Sequence, residues 1–268
     1  MNETKVALVT GSSDGIGQAT AKLLGSNGYL VVVTYKTNLA QAEETLNYVK
    51  QQGSDGLVVQ LDVTSEASVK KCFDIVATKY GKLDVLVNNA GIDHPLSIEE
   101  CTFEKWKEIT GPKIDGNFLC TKYALPLLKK PGKADLIVIM SGLDIMVDPE
   151  DPAYSVGTAG AVCFVKTMAI ALAKFGIRTN GIGPSSIRTK LPYWKEAGLD
   201  TDEVWEKFAK ENPLGRVTTV DDVALSILDV IQNKSQFWNG NFIYVDGGFH
   251  IPHLWNNVVS LAPMNTMI

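Results

Sequence analysis

The sequence predicts a single α/β domain in which helices cover both faces of a parallel sheet. Short, almost continuously apolar runs alternate with longer amphipathic segments, and this alternation is typical of a doubly wound sheet with right-handed crossovers. A glycine-rich turn lies between the first apolar run and the first amphipathic segment. No repeat or linker-like stretch interrupts the pattern. We therefore expect one domain over residues 1–248 and a C-terminal extension over residues 249–268.

The individual elements follow from these two periodicities. The short apolar runs, which are often β-branched, are predicted to be strands: Lys5–Val9, Leu30–Thr34, Leu57–Leu61, Val85–Val87, Leu136–Met140 and Arg178–Ile182. The segments with apolar residues at helical spacing are predicted to be helices: Ile16–Leu24, Leu39–Gln51, Glu66–Lys79, Phe103–Leu128 and Ala159–Lys174. The helix Phe103–Leu128 contains Gly111-Pro112. Because proline removes a helical hydrogen bond and clashes with the preceding turn, a kink or break is predicted near Thr110.

Bulk properties favour a cytoplasmic enzyme that acts on small molecules. The net charge of −5 argues against a nucleic-acid partner, since phosphate contacts need clustered Lys and Arg. No apolar run reaches the roughly 20 residues that span a bilayer, and no signal peptide is apparent. The four cysteines are scattered without a CxxC pair, which indicates reduced thiols. The extension is apolar and includes Trp255, so we expect it to pack on the domain or on a neighbouring subunit.

The glycine-rich turn predicts a nucleotide site. The first strand ends at Thr10-Gly11, and Gly15 and Gly17 open the following helix. Glycines at these places allow a tight turn and a close approach of backbone to a pyrophosphate. The phosphate then rests on the amide groups and the positive end of the helix dipole.

Several further motifs follow in a fixed order, and together they resemble the short-chain dehydrogenase/reductase family. They are TGSSDGIG (10–17), Asp62-Val63, NNAG (88–91), Ser141 thirteen residues before Tyr154, GPSSIRT (183–189) and VDGG (245–248). The resemblance covers residues 5 to about 248. It implies a Rossmann-type sheet of about seven strands, bound NAD(H) or NADP(H), and a homodimer or homotetramer.

The resemblance also implies which residues hold the cofactor. Asp62 and Val63 would contact the adenine, the NNAG motif would flank the adenosine ribose, and Ile187 and Thr189 would meet the nicotinamide carboxamide. The implied set is Gly11, Ser13, Asp14, Gly15, Ile16, Gly17, Tyr35, Lys36, Thr37, Asp62, Val63, Asn89, Ala90, Gly91, Pro184, Ile187 and Thr189.

Charge at the end of the second strand favours NADP(H) over NAD(H). Folds that bind NAD usually carry an acid there to hold the ribose 2′-hydroxyl. This chain has Tyr35 followed by Lys36 and Thr37, and an uncharged residue beside a cation suits a 2′-phosphate. Asp14 is the opposing observation, because relatives that prefer NADP often have a basic residue in that loop position.

The proton-handling residues depart from the family pattern. In the family, a tyrosine passes the proton, a serine positions the substrate oxygen, and a lysine four residues after the tyrosine holds the ribose and lowers the tyrosine pKa. An asparagine on the preceding helix holds a water. Ser141 and Tyr154 match, but Thr158 stands for the lysine and Lys113 for the asparagine. An unperturbed tyrosine has a pKa of about 10, so it donates a proton more readily than it accepts one at pH 7, which favours carbonyl reduction.

Two interpretations of Lys113 remain open from the sequence. Its ammonium could replace the missing cation from the opposite wall of the site and depress the pKa of Tyr154. Alternatively, the Gly-Pro break could displace Lys113 into solvent. Thr158 could still hydrogen-bond the ribose, but it supplies no charge.

The substrate end carries four candidate residues. Asp144 follows Ser141 closely and would favour a cationic ligand or act as an acid or base, unless it belongs to a solvated acidic loop. His94 follows NNAG but is a lone histidine. Tyr193 and Trp194 lie where relatives carry a mobile lid, and they predict either a flat apolar substrate or simple packing of the lid. No metal site is predicted, since His250 and His253 lack a third ligand.

Three functions are compatible with these residues. The first is an NADP(H)-dependent reductase of a carbonyl or imine with a rearranged proton relay. The second is a non-redox enzyme on the same scaffold, such as a dehydratase, isomerase or cyclase, that uses Tyr154, Ser141 and Asp144 for acid-base chemistry. The third is a catalytically silent cofactor-binding regulator.

Overall fold

The computed structural model describes residues 4–189, 192–196 and 198–251, and it contains a seven-stranded parallel sheet. The strand order is β3-β2-β1-β4-β5-β6-β7, which is a Rossmann-type doubly wound sheet and confirms the predicted fold. The strands are β1 (Val6–Val9), β2 (Leu30–Tyr35), β3 (Gly56–Gln60), β4 (Val85–Asn88), β5 (Ala134–Ile139), β6 (Ile177–Pro184) and β7 (Phe242–Val245).

The helices lie where the periodicity predicts them, except that the sixth begins earlier than predicted and that three further helices lie after β6. They are α1 (Gly15–Ser26), α2 (Leu39–Gln51), α3 (Glu66–Tyr80), α4 (Phe103–Gly111), α5 (Asn117–Leu128), α6 (Pro152–Ala173), α7 (Pro192–Glu196), α8 (Asp202–Glu211) and α9 (Val220–Gln232). Helix α6 begins well before the predicted start at Ala159, because Asp151 caps it and Pro152 occupies its first turn. The short strand β7 and the helices α7 to α9 had no individual prediction.

The core consists of two apolar layers, one on each face of the sheet. Along β1, Val6 and Leu8 belong to the layer beneath α3, α5 and α6, whereas Ala7 and Val9 belong to the layer beneath α1, α2 and α9. Because both faces are buried, all four residues are apolar and almost completely inaccessible. The same burial explains why the strands appear in the sequence as nearly continuous apolar runs.

Of the predicted kink or break near Thr110, the break is wrong. The helix continues from α4 into α5 through a π-helical segment at Pro112–Gly116, and Gly111, Pro112 and Asn117 all keep right-handed helical dihedral angles. Proline lacks the N–H that a regular turn needs, and a wider turn accommodates it without ending the helix. The side-chain amide of Asn117 donates to the Lys113 carbonyl oxygen at 2.5 Å, which gives that carbonyl a partner inside the wider turn.

Among the described residues, α6 is the one helix long and apolar enough to cross a membrane. In this fold it packs against β6 and the π-helical segment, and its first turn carries Tyr154. This packing accounts for only part of its apolar composition, because 33% of its apolar stretch is buried and Val156 and Ile170 are exposed. Most of the C-terminal extension, including Trp255, lies outside the described residues.

Candidate active site

The glycine turn lies at the carboxyl edge of the sheet and is held by the adjacent strands. Gly11 has a positive φ of 62°, and its N–H donates to Thr34 Oγ1 at 3.0 Å. The Asn89 side chain donates to the carbonyl oxygens of Thr10 and Gly11 at 2.9 and 3.2 Å. A Cβ at Gly17 would collide with the Gly11 carbonyl and the Asn89 amide, so only glycine fits there. Asn89 thus shapes the turn, a structural role that the sequence did not indicate.

The first turn of α1 carries a negative charge of its own. The Asp14 carboxylate caps the helix and accepts the Gly15 N–H at 2.7 Å. Asp14 is exposed, whereas Ser13 and Ile16 are half-buried beside it. A pyrophosphate bound at this helix N-terminus would lie close to the Asp14 carboxylate.

The predicted adenosine end of the site brings Lys36 and Asp62 together. Their side chains form an ion pair at 2.9 Å beyond the ends of β2 and β3, next to Tyr35 and the exposed Thr37. Burial alone would raise the pKa of Asp62, but hydrogen bonds from Thr64 and Lys36 outweigh it and leave the pKa lowered. Asp62 therefore competes with any bound anion for the Lys36 ammonium, and the contact of Lys36 with a 2′-phosphate stays a prediction.

The predicted nicotinamide end provides a buried polar atom that has no protein partner. Strand β6 ends at Pro184, and Ile187 forms an isolated β-bridge with Thr218. Thr189 follows two residues later. Thr189 Oγ1 is buried without a hydrogen bond to any described residue. Because this hydroxyl has no accessible surface, it reaches a ligand only if its neighbours move, so the carboxamide contact stays a prediction.

Ser141 and Tyr154 meet beyond the end of β5. Asp151 caps α6 and accepts the Tyr154 N–H at 3.3 Å, which fixes the orientation of the first helical turn. The Tyr154 hydroxyl forms a hydrogen bond with Ser141. Burial raises the pKa of Tyr154, the carboxyls of Asp93 and Asp151 raise it further, and the Ser141 bond lowers it only partly. The pKa thus lies above the ordinary tyrosine value rather than below it, and Tyr154 is a neutral proton donor at pH 7.

Lys113 points into the site and is not in solvent. Its side chain is 4% exposed, and its ammonium donates to the carbonyl oxygens of Ile139 and Met140 at 3.2 and 3.5 Å. The Nζ atom lies 5.0 Å from the centre of the Tyr154 ring. Burial lowers the pKa of Lys113 to about 8, against an opposing effect of Asp93. The site therefore has a cation beside its tyrosine, and it comes from the π-helical segment.

Two glycines make room for this lysine. A Cβ at Gly91 would lie 3.2 Å from Lys113 Cε, and a Cβ at Gly157 would lie 3.4 Å from Lys113 Cβ. The lysine stem thus runs between the NNAG motif and α6. The next residue, Thr158, is completely buried, and its Oγ1 has no partner among the described residues. A hydroxyl with no accessible surface cannot reach a ribose unless its neighbours move, so the ribose contact stays a prediction.

Two carboxyl groups beside Tyr154 were missed by the sequence analysis. Asp93 and Asp151 hydrogen-bond each other, and Asp151 is 1% exposed. Burial and the contact with Asp93 raise the pKa of Asp151 to about 7. Burial also raises the pKa of Asp93, although the bond to Asp151 and the charge of Lys113 oppose this. Asp151 is therefore buried and is not a solvated side chain of the acidic loop that follows Ser141.

The predicted substrate residues are only partly brought to this centre. Asp144 Oδ2 accepts the Tyr244 hydroxyl at 2.7 Å, while its Oδ1 is buried without a described partner. His94 is half-buried after β4 and lies near Glu108, whose pKa is lowered chiefly by Lys105 and also by His94. Contact of Asp144 or His94 with a substrate stays a prediction. Within the described ranges, no group of three or more metal-ligating side chains occurs.

The aromatic residues of the predicted lid pack on one another. The ring centre of Trp194 lies 5.0 Å from that of Trp205 and 6.0 Å from that of Phe208. The Trp205 indole N–H donates to Asp200 Oδ1 at 3.1 Å. This cluster ties α7 to α8, as the packing interpretation expects. The backbone of Tyr193 lies in α7, and its side chain is outside the described part of the structure.

Comparison with known proteins agrees with this geometry. A family model described as enoyl-(acyl carrier protein) reductase matches residues 11–250. The chain belongs to the short-chain dehydrogenase/reductase family. It is 34% identical to the uncharacterized oxidoreductase YxbG of Bacillus subtilis, with 92% of this chain and 91% of the relative covered. It is 32% identical to glucose 1-dehydrogenase 2 of the same organism, with 91% and 94% covered.

A solved structure of similar shape extends the comparison to three dimensions. The promiscuous reductase LugOII, which catalyses a keto-reduction in lugdunomycin biosynthesis, superimposes with a TM-score of 0.83. It is 30% identical, with 92% of this chain and 98% of that chain covered. As a short-chain dehydrogenase/reductase, the protein is an enzyme that uses a nicotinamide cofactor and acts on a small-molecule substrate.

Proposed function

We propose that this enzyme reduces a carbonyl or imine of a small organic molecule with NADPH, using a proton relay in which Lys113 replaces the lysine absent from position 158. The observation that carries the proposal is the buried Lys113 ammonium 5.0 Å from the Tyr154 ring centre. LugOII catalyses a keto-reduction, and glucose 1-dehydrogenase 2 is a relative named as a dehydrogenase. Both activities interconvert a carbonyl and an alcohol.

The residues divide the work of reduction among them. A nicotinamide cofactor, held at the glycine turn and by Lys36, would supply the hydride for the carbonyl or imine carbon. Tyr154 donates its hydroxyl proton to the developing alkoxide or amine, and Ser141 orients the reacting group through its bond with Tyr154. The Lys113 ammonium stabilises the negative charge that develops on the phenol oxygen as the proton leaves. Reduction needs a protonated phenol, and Tyr154 is fully protonated at pH 7 because its pKa is raised above the ordinary value.

The activity is tested with a panel of ketones, aldehydes and cyclic imines and measured as NADPH consumption at pH 6 to 9. We expect turnover with at least one carbonyl or imine class and a slower reverse reaction at pH 7. Cofactor binding without turnover on any member, together with conversion of a hydroxy acid or epoxide that consumes no cofactor, would favour the non-redox alternative. That alternative needs Asp144 as an acid or base, but in the structure Asp144 accepts a hydrogen bond from the Tyr244 hydroxyl.

The NADP(H) preference gives a quantitative prediction. A charge-assisted bond from Lys36 to the 2′-phosphate contributes about 1.5 to 3 kcal/mol, which is at least tenfold in affinity. We expect NADPH to bind at least tenfold more tightly than NADH, and Lys36→Gln to reduce that ratio to less than threefold, as measured by fluorescence titration.

A matched control is available on the neighbouring helix. Lys50 is also an exposed lysine paired with an aspartate, Asp55 at 3.9 Å, but it lies at the far end of α2. Lys50→Gln should leave the affinity ratio unchanged. Equal affinities of the wild type for NADPH and NADH would refute the assignment and identify Asp14 as the dominant charge.

We further propose a cytoplasmic homodimer or homotetramer. Large apolar side chains are exposed along the π-helical segment, α5 and α6, namely Ile114, Phe118, Val156 and Ile170. Exposed apolar surface of this kind is typical of contacts between subunits. The described cysteines are free, which suits a reducing compartment. Sedimentation analysis of the wild type and of Phe118→Glu tests the assembly, since the variant should dissociate.

A further inference from the structure

The carboxyl groups of Asp93 and Asp151 form a pair at the first turn of α6. They hydrogen-bond each other, and a bond between two carboxyl groups needs a proton on one of them. Asp93 Oδ1 and Asp151 Oδ2 are also buried without a hydrogen bond from any described donor. Asp151 is 1% exposed, so water cannot readily satisfy its free oxygen. One shared proton supplies the donor that both groups lack.

The surrounding charges favour the same protonation state. The groups that act on the pair are Lys113 from the π-helical segment, Asp148 from the loop before α6, and Tyr154 from α6 itself. If both carboxyls of the pair were ionised, the buried Lys113 would face two neighbouring negative charges, with Asp148 adding a third. With one proton on the pair, one ammonium balances one carboxylate, which is the cheaper state away from water.

The position of the pair connects it to the reacting proton. Asp151 caps the helical turn that carries Tyr154, and both carboxyls act electrostatically on the Tyr154 phenol. After a reduction the phenol has lost its proton and must regain one. Thr158 cannot assist, since it has neither charge nor accessible surface. Lys113 can stabilise the phenolate but has its own bonds to backbone carbonyls.

We propose that the Asp93–Asp151 pair stores one proton and returns it to Tyr154 after each reduction. The inference rests on the proposed reductase function and assigns the two aspartates a positioning and proton-storage role in it. The Tyr154 O–H bond breaks as its proton goes to the substrate oxygen or nitrogen, whose carbon has taken the hydride of NAD(P)H. The shared proton of the pair then moves to the phenolate oxygen, directly or through one water, and the pair takes a replacement proton from solvent.

The test is the pH dependence of reduction. Asp151 has a raised pKa of about 7, so the pair holds its proton below about pH 7 and loses it above. The wild-type kcat for reduction should therefore be level at low pH, fall through an inflection near pH 7 from the pair, and fall again near pH 8, where Lys113 loses its charge. Asp151→Asn keeps the helix cap and can still donate to Asp93, but its amide has no proton to transfer. We expect a fall in kcat of about tenfold at pH 6, nearly unchanged KM, and loss of the inflection near pH 7.

Two further variants separate proton storage from simple charge. Asp93→Asn should reproduce the effect of Asp151→Asn, since either change removes the shared proton. Asp148→Asn removes a carboxylate that raises the pKa of both members but is not part of the pair. It should keep the inflection and move it to lower pH. An inflection near pH 7 that persists unchanged in Asp93→Asn and Asp151→Asn overturns the proposal, as does an equal loss of kcat at every pH.

An infrared titration of the free enzyme provides a readout that needs neither folding of a variant nor activity. We expect the band of a protonated carboxyl to persist to about pH 7, well above the range in which ordinary aspartates lose it. Burial raises the pKa of Asp135 to about 6, so its band is lost at lower pH than that of the pair. Absence of a second band that is lost near pH 7 in an active reductase overturns the pair alone. Presence of the band in a protein that reduces no carbonyl or imine overturns the proposed function, and the relay role with it.

Discussion

Tyr154→Phe is expected to lower the turnover of reduction by about 10² to 10⁴-fold and to leave cofactor affinity nearly constant. The substitution keeps the aromatic ring against Lys113 and removes only the hydroxyl that bonds Ser141. Both the reductase and the non-redox hypotheses need this hydroxyl as the acid. The measurement is kcat and KM with the best substrate of the panel, together with a cofactor titration of both proteins.

Ser141→Ala provides the comparison within the same hydrogen bond. It removes a group that orients the reacting atoms but leaves the proton donor in place, so it should cost less than Tyr154→Phe. Full activity of Tyr154→Phe would mean that the family resemblance is misleading about the chemistry. The acid would then have to be sought among Asp144, Lys113 and His94.

The fold could be predicted from the sequence because its signals are local. Each strand of a sheet buried on both faces is an apolar run, and each covering helix has one apolar side, so neither requires knowledge of distant residues. The start of α6 at Asp151-Pro152 carried an equally local signal, a capping residue followed by proline, which the apolar periodicity after Ala159 obscured. Strand β7 was not predicted although its four residues are apolar, and it differs from the equally short β1 and β4 in being only partly buried at the edge of the sheet.

The chemistry of the site was harder to predict from the sequence than the fold, because it depends on contacts between distant segments. The direction of Lys113 follows from the π-helical segment, and Gly111-Pro112 in a sequence indicates a break as readily as a wider turn. Asp93 and Asp151 each resemble a solvated loop acid in isolation. Only the fold shows that they meet. The positions of Ser141 and Tyr154 came from motif spacing, whereas their pKa environment came from the carboxyl pair.

The second large effect is expected for the charge of Lys113. Lys113→Met keeps an unbranched apolar stem between Gly91 and Gly157 but removes the ammonium. Two unit charges about 5 Å apart in a partly buried site interact by about 3 kcal/mol at an effective dielectric constant near 20. We therefore expect kcat for reduction to fall by about 10²-fold at pH 7, where the pKa of about 8 leaves Lys113 mostly charged. Circular dichroism and thermal unfolding check that the variant is folded.

Exchange of the two atypical positions tests whether the cation or its attachment point matters. Thr158→Lys alone places a second ammonium beside Lys113 in a fully buried position, so it should destabilise the protein and lower activity. Lys113→Asn with Thr158→Lys restores one cation on α6 and should recover turnover to within about tenfold of the wild type. Thr158→Val removes only a hydroxyl without a described partner and should change turnover less than threefold.

Lys113→Asn, Thr158→Lys and their combination form a double-mutant cycle with the wild type, and this cycle tests a single charge delivered from either position. If the exchange restores activity that each single change removes, the two positions are coupled through Tyr154 by more than the few tenths of a kcal/mol expected of independent sites. Wild-type turnover in Lys113→Met would instead show that the ammonium serves the packing of β5 and the π-helical segment. Its bonds to Ile139 and Met140 would then be its whole role, and the Asp93–Asp151 pair would be left as the ionisable group closest to the proton transfer.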